Sequence, residues 1–178
     1  MAYLSDSLHI RLVGGLAELT TDDGITDAKL RSQMAAAARQ LKSWVSISTY
    51  AAALVIIDLA RDGDADKDLE SDPSILRAKC STDEEYEQVS ALRYAEAALT
   101  MYHALPSLNM NTIGGGIHQS VITEKGQSNQ LSPQQLRDNQ ALFLKMANDA
   151  AFDYQTAGMG VTFVETDITS EDSDTDYL

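Results

Sequence analysis

The chain has 178 residues, is 44% hydrophobic, carries a formal net charge of −14 and contains one cysteine. That is enough apolar material for one domain with a core, so disorder throughout is excluded. The lone Cys80 excludes an internal disulfide framework and fits a reducing compartment.

No stretch approaches the ~18 apolar residues of a membrane span. The opening MAYLSDSLHIRLVGG lacks the basic region of a signal peptide. Residues 62–72, DGDADKDLESD, carry six acids and one lysine, and residues 165–178, ETDITSEDSDTDYL, carry six acids and no base. The body between these two acidic appendages is therefore close to neutral. No basic patch offers a phosphate-binding surface.

In chain order, Leu4, Leu8, Leu12 and Leu16 recur every four residues and suggest a short helix that Gly14-Gly15 interrupts. Thr26 can cap a helix whose first turn holds Asp27, where the dipole favours an acid. Leu30, Met34, Ala37, Leu41 and Val45 then share one helical face. Ser46, Ile47 and Ser48 weaken the helix, which is expected to end or bend there and restart through Tyr50–Arg61. The run Leu54-Val55-Ile56-Ile57 is expected to be central.

A turn of helix is expected around Ser74–Lys79, after Pro73. Thr82 and Glu85 form a capping box. Tyr86, Val89, Leu92, Leu99 and Tyr102 share the face of the helix it opens, and Pro106 is expected to stop that helix. Ser132-Pro133-Gln134-Gln135 is the strongest start signal, with Leu131 and Leu136 as its hydrophobic staple. Leu136, Phe143, Met146, Ala150 and Tyr154 give the apolar face, and Gly158 suits the position after the helix end. The alternation over Val161–Glu165 is strand-like.

Between the last two helices lies TIGGGIHQSVITEKGQSNQL, residues 112–131. The spacing allows a β-hairpin with Ile117, Gln119, Val121 and Thr123 on one face and a turn at Lys125-Gly126. Gly114-Gly115-Gly116 would be its pivot, since glycine accepts φ values closed to other residues. A two-stranded hairpin is marginal alone in water, so it needs a surface to dock on. A plain loop is the competing reading.

Known chemical motifs do not fit. An EF-hand frame at Asp62 puts Lys67 where glycine is needed and Pro73 where the bidentate glutamate is needed. The glycine runs lack dinucleotide-fingerprint spacing, with Gln119 and Phe163 at the decisive positions. His9, His103 and His118 are far apart and read as surface or part-buried histidines. Cys80 reads as a plain thiol. No catalytic residue, metal ligand or cofactor site is assigned.

The segments TDAKLRSQMAAAARQLKSW and EEYEQVSALRYAEAALTMYHAL, followed by an arm and an extended tail, resemble the head–tail connector (adaptor) proteins of tailed bacteriophages. The resemblance covers roughly 26–157 and is one of architecture. The long acidic insertion and long tail depart from the shorter members of that family.

The expected fold is mainly α: a small helical bundle over 26–157 with an inserted β-hairpin arm at 112–131. An N-terminal segment, 1–25, precedes it, and an extended acidic tail, 158–178, follows. The resemblance implies a structural virion protein at the head–tail interface, assembled from the host cytoplasm. It would form a homo-oligomeric ring, a dodecamer by family likeness, bound to the portal protein and to a downstream neck or tail protein. Packaged DNA would pass nearby without specific contact, and no membrane is involved.

The expected contact residues are Ile113, Gly114, Gly115, Gly116, Ile117, Val121 and Thr123 in the arm. In the tail they are Val161, Phe163, Val164 and Ile168. The alternatives are an acidic binding module that mimics DNA for a basic protein, and a small helical enzyme.

Overall fold

A computed structural model describes residues 3–15, 27–64, 67–110 and 133–156. These hold six helices: α1 (Ser7–Val13), α2 (Asp27–Val45), α3 (Ile47–Arg61), α4 (Pro73–Arg77), α5 (Asp83–Met110) and α6 (Pro133–Ala151), then a 3-10 turn at Phe152–Tyr154. The mainly α expectation holds among them. The expected arm and tail, with all eleven expected contact residues and the caps Thr26 and Ser132, lie outside the described residues.

α5 is the axis of the bundle and packs against all five other helices, most extensively α2 and α6. Every residue from Ala95 to Met101 is buried. A helix apolar on one face only would sit at the surface; α5 is enclosed on every side through its middle. Small residues make room for that enclosure. Ala95, Ala97, Ala98 and Ala104 on α5 are buried, as are Ala37 and Ala38 on α2 and Ala147 and Ala151 on α6. Short side chains at helix contacts let the axes approach closely.

The expected α2 face, Leu30, Met34, Ala37, Leu41 and Val45, is wholly buried. Phe143 of α6 is buried, and Leu136, Met146, Ala150 and Tyr154 pack partly buried against the core. The Thr82 cap is also present: its Oγ1 accepts from the Glu85 N–H at 3.1 Å. The Glu85 carboxylate reaches the Ser81 N–H, one residue further back than the box predicts.

Two expectations fail for identifiable reasons. Pro106 does not stop α5, which runs on to Met110. A proline there has no N–H for the carbonyl of Tyr102, four residues earlier. Gln140 Nε2 of α6 donates to that carbonyl at 3.3 Å, so the neighbouring helix supplies the missing donor.

The short helix expected before Gly14 is present as α1, and of the leucine row Leu4, ahead of the helix, is fully buried. α1 begins only at Ser7, and Leu8 and Leu12 are exposed while Ile10 is fully buried. Finally, the Leu54–Ile57 run is not central. Ile56 and Ile57 face the core and Val55 is exposed, because α3 lies at the margin and packs on one side only.

α2 and α3 are separated at Ser46, with φ 77° and ψ 153°. That region is essentially reserved for glycine and costs about 1–3 kcal/mol for other residues. Ser46 Oγ partly offsets this by accepting from the Thr49 N–H at 3.2 Å. Past α6, the Thr156 N–H donates to the Trp44 carbonyl at 2.8 Å, so the end of the described chain is tied to the end of α2.

Two stability measurements follow. Ser46→Gly is expected to raise unfolding stability by about 1 kcal/mol, strain relief outweighing the few tenths lost with the cap; a loss on urea denaturation would contradict the strain. Gln140→Ala is expected to cost about 1 kcal/mol in the natural sequence. It should cost almost nothing once Pro106→Ala restores the helix's own donor, and an equal cost in both backgrounds would refute the substitution of one donor for the other.

Candidate functional site

Two features stand out against the apolar bundle: a buried polar cluster and an exposed apolar row. The cluster forms where residues 3–9 lie over α3 and α5. Arg93, buried on α5 just before its enclosed part, donates through Nη2 to Asp6 Oδ2 at 2.7 Å and through Nη1 to Glu70 Oε1. Arg61, at the end of α3, donates to the carbonyls of Tyr3 at 2.6 Å, Leu4 at 3.2 Å and Ser5 at 3.1 Å. Its Nη2 also lies 3.6 Å from Asp6 Oδ2. Asp6 has a second task, since Oδ1 caps α1 by accepting from the His9 N–H at 2.9 Å.

His9 Nδ1 donates to Glu70 Oε1 at 2.7 Å. Glu96 is wholly buried on α5 and accepts from Ser5 N–H and Ser5 Oγ, each at 2.9 Å, and from the Tyr50 hydroxyl. His9 Nε2, Arg61 Nε and Arg93 Nε are buried without a hydrogen-bond partner.

Burial pushes the Glu96 carboxyl above its ordinary value, against the pull of Tyr50 and Ser5. Burial, then the adjacent Glu96, pushes the Tyr50 hydroxyl up. The His9 hydrogen bond, and then Arg93, hold Glu70 below its ordinary value despite partial desolvation. A carboxyl with no exposed surface cannot meet a substrate, so Glu96 ties Ser5 to Tyr50 rather than reacting. The cluster is a latch that fixes the N-terminal segment to α3 and α5.

The apolar row runs along the outer side of α3. Ile47, Val55 and Leu59 are 73%, 59% and 57% exposed, and Ala51 between them is also exposed. A spacing of four puts them on one stripe of the helix. Arg61 fixes the orientation of that stripe, because its contacts with residues 3–5 hold the opposite side of α3 inward.

The acidic run 62–72 is only partly an appendage. Leu69 is buried, and Glu70 belongs to the latch. Asp68 accepts from the amides of Glu70 and Ser71, and Asp72 caps α4 by accepting from the Ser74 N–H at 3.0 Å. Among the described residues no three His, Cys, Asp or Glu side chains form a metal-holding group. No described helix is long and apolar enough to cross a membrane.

His103 is half-buried with Nε2 2.8 Å from Gln40 Oε1, and burial lowers its pKa. Cys80 is half-buried beside the Leu76 carbonyl, and burial pushes its thiol up.

The sequence reading passed over Asp6, Arg61, Glu70, Arg93 and Glu96. A signal was present: Arg93 and Glu96 sit in an otherwise apolar stretch of a long helix. Buried charges need partners from elsewhere in the chain. Comparison of the chain with protein-family models, curated proteins and solved structures finds no match.

Glu96 and Glu70 give opposite pH dependences. Glu96 is raised on folding, so its contribution is complete below the ordinary value of 4.5 and is lost as pH rises toward its folded value. Glu70 is lowered, so its contribution is complete above 4.5 and is lost as pH falls through its folded value. Urea unfolding from acid to neutral pH should therefore show Glu96→Gln gaining on the natural protein as pH rises. Glu70→Gln should lack the natural protein's loss on acidification. Profiles parallel to the natural one for both variants would contradict these assignments.

Proposed function

We propose that this chain is a non-catalytic assembly protein of a virion: a head–tail connector subunit that forms a homo-oligomeric ring below the portal. The exposed row Ile47, Ala51, Val55 and Leu59 is the observation that carries the assembly reading. Three large aliphatic side chains in line on a helix, held outward by a rigid latch, suit a surface that another protein covers. The layout of helices supports the connector class, by resemblance alone. A ring needs a patch on each subunit that meets a different patch on the next, and a row at the margin of the bundle is well placed for that. The portal and a downstream neck or tail protein are the proposed partners.

The test is negative-stain microscopy and mass photometry of the purified protein, with and without portal rings. Rings are expected on portal addition. Val55→Asp combined with Leu59→Asp should abolish them while changing stability by no more than about 0.5 kcal/mol per site, as surface substitutions do. Rings unaffected by the two aspartates, or no ring under any condition, would overturn the reading.

A further inference from the structure

We propose that α1 is the acid-released half of the latch: when Asp6 and Glu70 take up protons, α1 leaves α5 while residues 3–5 and the rest of the bundle stay in place. At neutral pH the guanidinium groups of Arg61 on α3 and Arg93 on α5 meet the carboxylates of Asp6 and Glu70, and His9 of α1 donates to Glu70. Asp58 acts on Arg61 and Asp68 on Arg93, but both acids are exposed and screened by water. Glu96, one turn further along α5, is occupied with Ser5 and Tyr50. α2 also packs on α1 but supplies none of these ion pairs.

In acid the two carboxylates become neutral and His9 becomes a cation. Arg61, Arg93 and His9 are then left close together with no anion between them, where burial strengthens repulsion. The added proton on His9 Nε2 finds no acceptor, because that atom is buried without a partner. Glu70 has the sign this requires. The His9 hydrogen bond, and then Arg93, hold its carboxyl low, so its contribution is complete above the ordinary 4.5 and is lost as pH falls.

Apolar packing does little to keep α1 docked. Ile10 is fully buried, but Leu8 and Leu12 are exposed and Val13 is only part-buried. A helix of seven residues is too short to persist on its own once undocked.

Residues 3–5 are held by bonds that acid leaves intact. Arg61 keeps its charge and its bonds to the carbonyls of Tyr3, Leu4 and Ser5. Ser5 is bound to Glu96, whose carboxyl burial pushes up, so this contribution is complete below 4.5. Leu4 is fully buried, and the apolar side chains that join α2, α5 and α6 do not titrate. The hinge therefore falls at Asp6, between the acid-stable anchor and α1. Release bares the surface of α5 on which α1 rests, including Met101 beside Gly14.

The experiment follows amide exchange by NMR on the full chain at neutral pH and at roughly pH 3, below the ordinary carboxyl values. Protection factors remove the intrinsic pH dependence of exchange. The Ile10 and Gly14 N–H groups are bonded to the Asp6 and Ile10 carbonyls, and the Ser5 N–H to Glu96. In acid, Ile10 and Gly14 are expected to lose protection at least ~tenfold, while Ser5 and the middle of α5 change less than ~threefold. Asp6→Asn combined with Glu70→Gln should produce the same local loss at neutral pH. Protection retained at Ile10 and Gly14 in acid, or in a folded double variant, overturns the proposal. So does loss that reaches Ser5 and α5 together with α1, which is global unfolding. Should the double variant not fold, exchange in the natural protein decides alone.

Discussion

Arg93 and Glu96 are buried side chains on the central helix, and the structure depends on how that constraint is met. A guanidinium and a carboxyl enclosed by apolar helices each cost several kcal/mol unless paired. α2 and α6 bring nothing polar to meet them. The partners come from residues 5 and 6, from Glu70 in the acidic connection and from Tyr50 of α3. The N-terminal segment is therefore a part of the core that closes its polar middle. Asp6 shows the economy of the arrangement, capping α1 with one oxygen and receiving Arg93 with the other. Arg61 extends the same closure to α3, and so determines which side of α3 faces out.

The helical framework was legible where burial is one-sided. The rows on α2 and α6 obey the helical period because those helices have a core side and a water side. Legibility failed where that premise failed. Pro106 ends a helix when the freed carbonyl has no donor, but Gln140 supplies one from another element, which no local pattern contains. Of the leucines before Gly14, Leu4 is buried but Leu8 and Leu12 on α1 are exposed, because the latch rather than apolar spacing orients α1. The latch itself was missed because its members are scattered from Asp6 to Glu96 and become neighbours only in space. The acidic run 62–72 was read as an appendage, yet Leu69 and Glu70 fold inward while Asp68 and Asp72 serve local turns.

The functional reading inherits this division. A polar centre that locks the fold leaves α3 rigid, and rigidity makes its outer row a usable surface. Acids divided between the latch, local caps and the tail fit poorly with a mimic of DNA, which needs its charges arrayed on one firm face.

The most direct measurement is a double-mutant cycle on the pair at the centre of the latch, Asp6→Ala and Arg93→Met, by urea unfolding. Each single change removes the buried contact between them while Arg93 keeps Glu70 and Asp6 keeps Arg61, and should cost about 1.5–3 kcal/mol. The double variant should cost little more than either single, because the interaction can be lost only once. Additive losses, or single variants as stable as the natural protein, would mean that the N-terminal segment does not close the core.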